Sequence, residues 1–196
     1  MFGDAVASSL LSSRFPHVQC AWLTGSAATG DVTATSDVDL VVVADDDAPS
    51  FRETVRQDSP LVELFVHSPT SLRYWYEHER RENRCTLAHM VATGVALTDS
   101  GPGVQLQRDA ELHVEAGPAP RDQADIDALR YGLSAALDDL TDAREARAFV
   151  AAQVMELASE LRLAHADSWT GSGKWLHRWL MHVDSQCADD LAAGWQ

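Results

Sequence analysis

One segment, residues 24–43, limits what this chain can fold into more than any other, because it ties a Gly-Ser turn to a β-branched run that opens on two acids. Side chains two positions apart on a strand share a face, so Asp37 and Asp39 stand side by side at the head of the run over residues 38–44. Aligned carboxylates repel one another unless a cation joins them. Hard oxygen donors suit magnesium, which binds one or two carboxylates and completes its shell with phosphate oxygens and water. Upstream, after the apolar run at residues 20–23, Gly25 lets the backbone pass close to a polyphosphate, where exposed amides and the Ser26 hydroxyl can bond its oxygens. The competing explanation is a strand entered through a polar turn, with Asp37 and Asp39 as ordinary turn residues.

The combination of Gly25-Ser26, a spacer and Ser36-Asp37-Val38-Asp39-Leu40 resembles the signature of the DNA polymerase β-like nucleotidyltransferase superfamily. The chain departs from it at one place. Many relatives read Gly-Ser-x-Ala-Arg-Gly, and Thr29 stands where that Arg would be, so whatever the Arg does is unfilled or transferred. The resemblance also requires a third acid, flanked by apolar residues, on a neighbouring strand. Residues 60–67 supply Glu63, the only acid there. Alternation puts Val62, Leu64 and Val66 on one face and Leu61, Glu63, Phe65 and His67 on the other, so Glu63 can join the Asp pair while the core takes the valines. In relatives this acid ligates metal or takes a proton from the attacking hydroxyl. Taken alone, Glu63 reads equally as a surface acid on a half-exposed strand. Glu53 and Asp58 are weaker candidates, on a polar stretch expected to be helix or loop.

Composition narrows the partners. A chain of 196 residues with 45% hydrophobic content can build one ordinary domain or two small ones without staples. Cys20, Cys85 and Cys187 are odd in number and lack metal or redox spacing, which points to buried or free thiols in a reducing compartment. No apolar run approaches a membrane span, and the amino terminus lacks a signal peptide's basic start, so a cytoplasmic protein is expected. The formal net charge of −15 argues against nucleic acid as substrate, since binding a phosphate backbone needs a basic surface. A small or cationic acceptor is easier to accommodate.

Residues 100–103 and 116–120 are Gly/Pro clusters, and the second directly precedes an uninterrupted helical pattern. The expected division is a nucleotidyltransferase domain over 1–117 and a helical, substrate-binding bundle over 121–196. The first part predicts a helix at 3–13, strands at 18–23 and 38–44, a short helix near Phe51, a strand at 61–66, helices through Tyr76 and Ala92, and a strand at 95–97. The second predicts helices at 126–140, 143–163 and 174–181, the last continued at 189–193. The fold class is therefore α+β, a mixed sheet with helices in a polymerase β-like core, plus a C-terminal helical bundle.

In the second part, Lys174 is the single lysine among 15 basic residues. A chain that otherwise uses Arg suggests that this position needs a compact ammonium. The bundles of antibiotic nucleotidyltransferases, which the 173–176 run resembles, carry such a phosphate-binding Lys; an ordinary surface lysine explains the residue as well. Glu156 and Glu160, four apart, share a helix face. Some aminoglycoside-modifying relatives place a general base in the helical domain, which makes these two the runners-up to Glu63. Asp127, Asp138 and Asp139 can line a pocket for amines or simply form a solvated helix face. Trp169, Trp175 and Trp179 read as core or wall.

The resemblance thus implies transfer of a nucleoside monophosphate from an NTP, ATP first among them, to a hydroxyl of a small molecule such as an aminoglycoside or lincosamide antibiotic. Asp37, Asp39 and Glu63 would hold Mg2+, and Gly25, Ser26 and Lys174 the phosphates. Two alternatives stand beside it: a protein-directed adenylyltransferase of the antitoxin kind, and a nucleotide-binding module that has lost its chemistry. Whether two chains share one site, as a homodimer, is open at this level.

Overall fold

The computed structural model describes all residues except 1, 2, 31, 34, 35, 48, 57–59, 100, 195 and 196. The weaker acid candidate Asp58 lies outside the described residues. The chain divides into two compact units, residues 1–78 with 86–116, and residues 79–85 with 117–196. The first is an α+β unit built on a mixed five-stranded sheet; the second is helical.

The sheet comprises β1 (Cys20–Thr24), β2 (Val38–Val43), β3 (Phe51–Arg56), β4 (Leu61–His67) and β5 (Val95–Asp99), in the order β3-β4-β2-β1-β5. β2 and β4 run parallel, and the remaining neighbours are antiparallel. The period-two alternation read from residues 38–43 and 62–66 fixes which side of these strands is buried. Val38, Leu40, Val42, Val62, Leu64 and Val66 point to one face, where Ala7, Leu10 and Leu11 of helix α1 (Asp4–Arg14) close over them. All six strand residues are at most 2% exposed, which removes their apolar area from water at roughly 25 cal/mol per Å2.

Where a short helix is expected near Phe51 the chain instead forms β3. This is a polar edge strand, and its Arg52, Thr54 and Arg56 give it a surface that alternation alone reads poorly. Two helices escape the sequence expectation. The Gly25-Ser26 turn is the start of a five-residue helix, α2 (Gly25–Thr29). After α3 (Pro69–Arg81), α4 (Thr86–Thr93) and β5 comes α5 (Gly103–Ala116), masked in the sequence by its flanking Gly/Pro clusters. The Asp99 carboxylate accepts from the amides of Gly101 and Gly103, at 2.8 and 2.9 Å, and so closes the turn into α5. Those backbone bonds hold the Asp99 carboxyl below the usual carboxylate range.

The helical unit contains α6 (Gln123–Asp142), a 3-10 turn (Arg144–Ala146), α7 (Arg147–Ala164), α8 (Lys174–Val183) and α9 (Ser185–Ala193). The single helix expected over 143–163 is thus preceded by a 3-10 turn, entered with Arg144 at φ +40°. α6 is capped by Asp122, which accepts from the Asp125 amide at 2.8 Å. Leu163, Leu176, Leu180 and Ala188 form a small core with Trp179 and Leu191 packed against it. Arg162 Nε donates to Asp184 at 2.8 Å, joining α7 to the cap of α9. Among the described residues, no helix is long and apolar enough to cross a membrane. The three cysteines are free thiols, and burial pushes the Cys20 thiol up to about 12, where it is a poor nucleophile.

Candidate active site

The parallel register of β2 and β4 sets Asp39 directly opposite Glu63. Because Leu40 and Leu64, their sequence neighbours, point into the α1-covered core, both acids project from the other face of the sheet. Asp37 stands just before β2. One carboxylate oxygen from each of Asp37, Asp39 and Glu63 lies within 4.8 Å of the others, and all three side chains are half-buried. Among the described residues, this is the group of acids, histidines or cysteines close enough to hold one metal ion. Its donors are hard carboxylate oxygens without His or Cys, the set that suits Mg2+.

Gly25 meets this cluster from β1. Thr24, at the end of β1, pairs with Asp39, and its buried hydroxyl donates to the Asp39 carbonyl at 3.3 Å. The chain then turns at Gly25 with φ +65°, a conformation that favours glycine. A Cβ there would collide with Asp39 Oδ2 and stand 3.3 Å from Asp39 Cγ. The glycine is therefore required twice, once by its dihedral and once by the acid against which it packs. Ser26 follows in the first turn of α2, half-buried, and Thr29 in the last turn is exposed.

Sequence reasoning missed Arg52. It lies on β3, and its Nη2 donates to Glu63 Oε2 at 2.6 Å, while its guanidinium stacks over the Phe65 ring at 4.7 Å. Arg52 is paired with Phe65, two residues beyond Glu63 on β4, so it reaches the acid from the edge of the sheet. The signal for it is weak: Phe51 and Val55 alternate with Arg52, Thr54 and Arg56, but Glu53 breaks the apolar side. Glu53, on the opposite side of β3, bonds Arg14 of α1 at 2.8 Å and takes no part in the acid cluster. His67 shares Glu63's side of β4 at the strand's far end, where burial pushes it down to about 4 and its Nδ1 lies 3.1 Å from Ser71 Oγ.

The remaining predicted residues belong to the helical unit. Lys174 is the exposed first residue of α8. Glu156 and Glu160 line different cavities despite their shared helix face. Glu156 borders an apolar one of about 390 Å3 among α7, α8 and α9, and Glu160 a polar one of about 470 Å3. Asp127, Asp138 and Asp139 lie on the exposed side of α6. Trp169 is buried.

Residues 7–84 match the family described as nucleotidyltransferase domain, a span that contains Gly25, the three acids and Arg52. The match covers less than half of the chain and lies in the part that carries the acid cluster. A solved crystal structure of a nucleotidyltransferase-like protein from Exiguobacterium sibiricum is similar to this chain at 11% identity, with a TM-score of 0.45 over 96% of this chain. The chain spans 66% of that protein's length. No curated protein matches the sequence.

Proposed function

We propose that this chain transfers a nucleoside monophosphate, in the first instance from ATP, to a hydroxyl of a small molecule. The observation that carries the proposal is the triad of Asp37, Asp39 and Glu63 beside a glycine whose backbone presses against one of the acids. In the transfer, the acceptor oxygen forms a bond to the α-phosphorus, the bond from that phosphorus to its bridging oxygen breaks, and pyrophosphate departs. The three carboxylates would hold Mg2+, which when bound would neutralise charge at the phosphate and make the acceptor hydroxyl more acidic. Glu63 would accept the hydroxyl proton, with Glu160 and Glu156 as the alternative bases of this reading. The first-turn amides of α2, which lack acceptors within the helix, and the Ser26 hydroxyl would bond phosphate oxygens, with Lys174 as a further phosphate contact.

An aminoglycoside or lincosamide is the acceptor class this reading favours, bound by the helical unit, because a chain of net charge −15 attracts amines. The test is a pyrophosphate-release screen with Mg2+, several nucleotides and a library of hydroxylated amines and metabolites. Asp39→Asn, isosteric and at the surface of the sheet, is expected to keep the fold and lower turnover by roughly 10^3-fold or more. Turnover near the parent's in that variant would overturn the assignment.

A further inference from the structure

The apolar cavity of the helical unit, about 390 Å3 among α7, α8 and α9, has a volume within the range of small-molecule sites. Its walls are Ala152 and Met155 of α7, Leu176 and Leu180 of α8, and Ala188 and Leu191 of α9. Leu176, Leu180 and Ala188 belong at the same time to the small core of this unit, so the cavity continues that core toward the surface. Walls of this kind give water few partners, and the carbon body of a ligand displaces it favourably.

The polar groups at the cavity are few and one-sided. Among the described residues that line it, Glu156 supplies a carboxylate, and there is no Lys or Arg. Ser159 is buried and donates its hydroxyl proton to the Met155 carbonyl at 2.7 Å, so it offers a ligand no donor. His177 adds an exposed imidazole, whose neutral ring keeps one nitrogen as an acceptor. One turn along α7, Glu160 carries charge of the same sign as Glu156: burial, and then repulsion from Glu156, push the Glu160 carboxyl up. An apolar carboxylate or phosphate would therefore meet an acid with no Lys or Arg to offset it, and a neutral apolar molecule would leave Glu156 unused. A cation on a carbon body matches both halves of the lining. We infer that this cavity binds a small monoamine with an apolar body, an arylalkyl, alicyclic or alkyl amine. Its carbon frame lies on Met155, Leu176, Leu180 and Leu191, and its ammonium reaches the Glu156 carboxylate. The net charge of −15 draws such cations to the chain.

The inference does not depend on the acid triad of the sheet unit, and Asp39→Asn is expected to bind the same amine with unchanged affinity. The experiment is isothermal titration of the full chain, without nucleotide or metal, against phenethylamine, cyclohexylmethylamine and hexylamine. Each is paired with the alcohol and the carboxylate of the same frame, and methylamine supplies the charge without the body. At least one of the apolar amines is expected to bind roughly tenfold or more tighter than its alcohol, its carboxylate and methylamine, as a charge-assisted bond added to apolar contact does. Glu156→Gln is expected to bring that amine down to the affinity of its alcohol while the alcohol stays unchanged, a split that general loss of structure does not give. Ala152→Phe places a ring in the cavity from an exposed helix position and is expected to remove binding of amine and alcohol together. Ala192→Phe does the same from α9 and serves if the first variant fails to fold. Absence of binding by every apolar amine, equal or tighter binding of the matched alcohol, the carboxylate or methylamine, an amine preference retained in folded Glu156→Gln, or full affinity with the cavity filled would each overturn the assignment.

Discussion

The two units treat their polar groups differently. In the sheet unit the strands are closed on one side by α1, and the charge on the other side is met locally: Glu63 by Arg52 at 2.6 Å, and the Asp39 strand by Thr24 and the bare backbone of Gly25. In the helical unit the core is small, two cavities open among the helices, and buried polar atoms of Asn83, Arg121 and Thr170 find no hydrogen-bond partner among the described residues. Tyr131 and Phe149 are 78% and 83% exposed there. The contrast teaches that strand register fixes a site to within one residue, whereas helix packing leaves room that ligands can fill.

Core truncation should expose the contrast most strongly. Leu64→Ala removes a fully enclosed side chain between β4 and α1 and is expected to cost about 3–4 kcal/mol in denaturant unfolding. Leu180→Ala borders the open apolar cavity and should cost about half as much, because fewer contacts are lost around space that already exists. Equal costs would dissolve the distinction between closed and open packing.

Acid titration probes the same closure at His67. Its folded pKa of about 4 lies below the ordinary 6.5, so the unfolded chain takes up the proton first as pH falls. The contribution is fully present above about pH 6.5 and is lost as pH drops toward 4, on the order of 3 kcal/mol in all. Unfolding of His67→Asn followed across that window should show a flatter pH dependence than the parent.

A smaller structural effect with a large chemical one is expected from Gly25→Ala, which forces both a strained dihedral and a displaced Asp39 carboxylate. Stability should fall by about 1–3 kcal/mol, with pyrophosphate release reduced well beyond what that loss explains. Retained turnover would mean that the Asp39 position tolerates displacement. The smallest change is predicted for Arg52→Gln. Its ion pair with Glu63 is more than half exposed on the Arg side, so stability should move by less than about 1 kcal/mol, while apparent Mg2+ affinity rises a few-fold as a competing cation is removed. Weaker Mg2+ binding in that variant would instead make Arg52 a support for Glu63.

Much of the sheet was legible because its residues repeat a simple rule. Val38 to Val43 and Val62 to Val66 alternate or run apolar, and that pattern carries Asp39 and Glu63 to one face without knowledge of any contact. β3 was not legible in the same way, since an edge strand with Arg52, Glu53 and Arg56 has no buried face strong enough to stand out from a loop. Arg52 was lost with it. The orphan atoms at Asn83, Arg121 and Thr170 were hidden for another reason: they are far apart in the chain and meet only through tertiary packing, which no local periodicity encodes.

The register of β4 against β2 carries one more consequence. Were β4 to slide by a single residue, Glu63 would turn toward Leu10 and Leu11, and Leu64 would surface in its stead. Folding errors in this sheet are therefore self-limiting: a mispaired molecule buries a charge, loses stability, and parts Glu63 from Asp37 and Asp39.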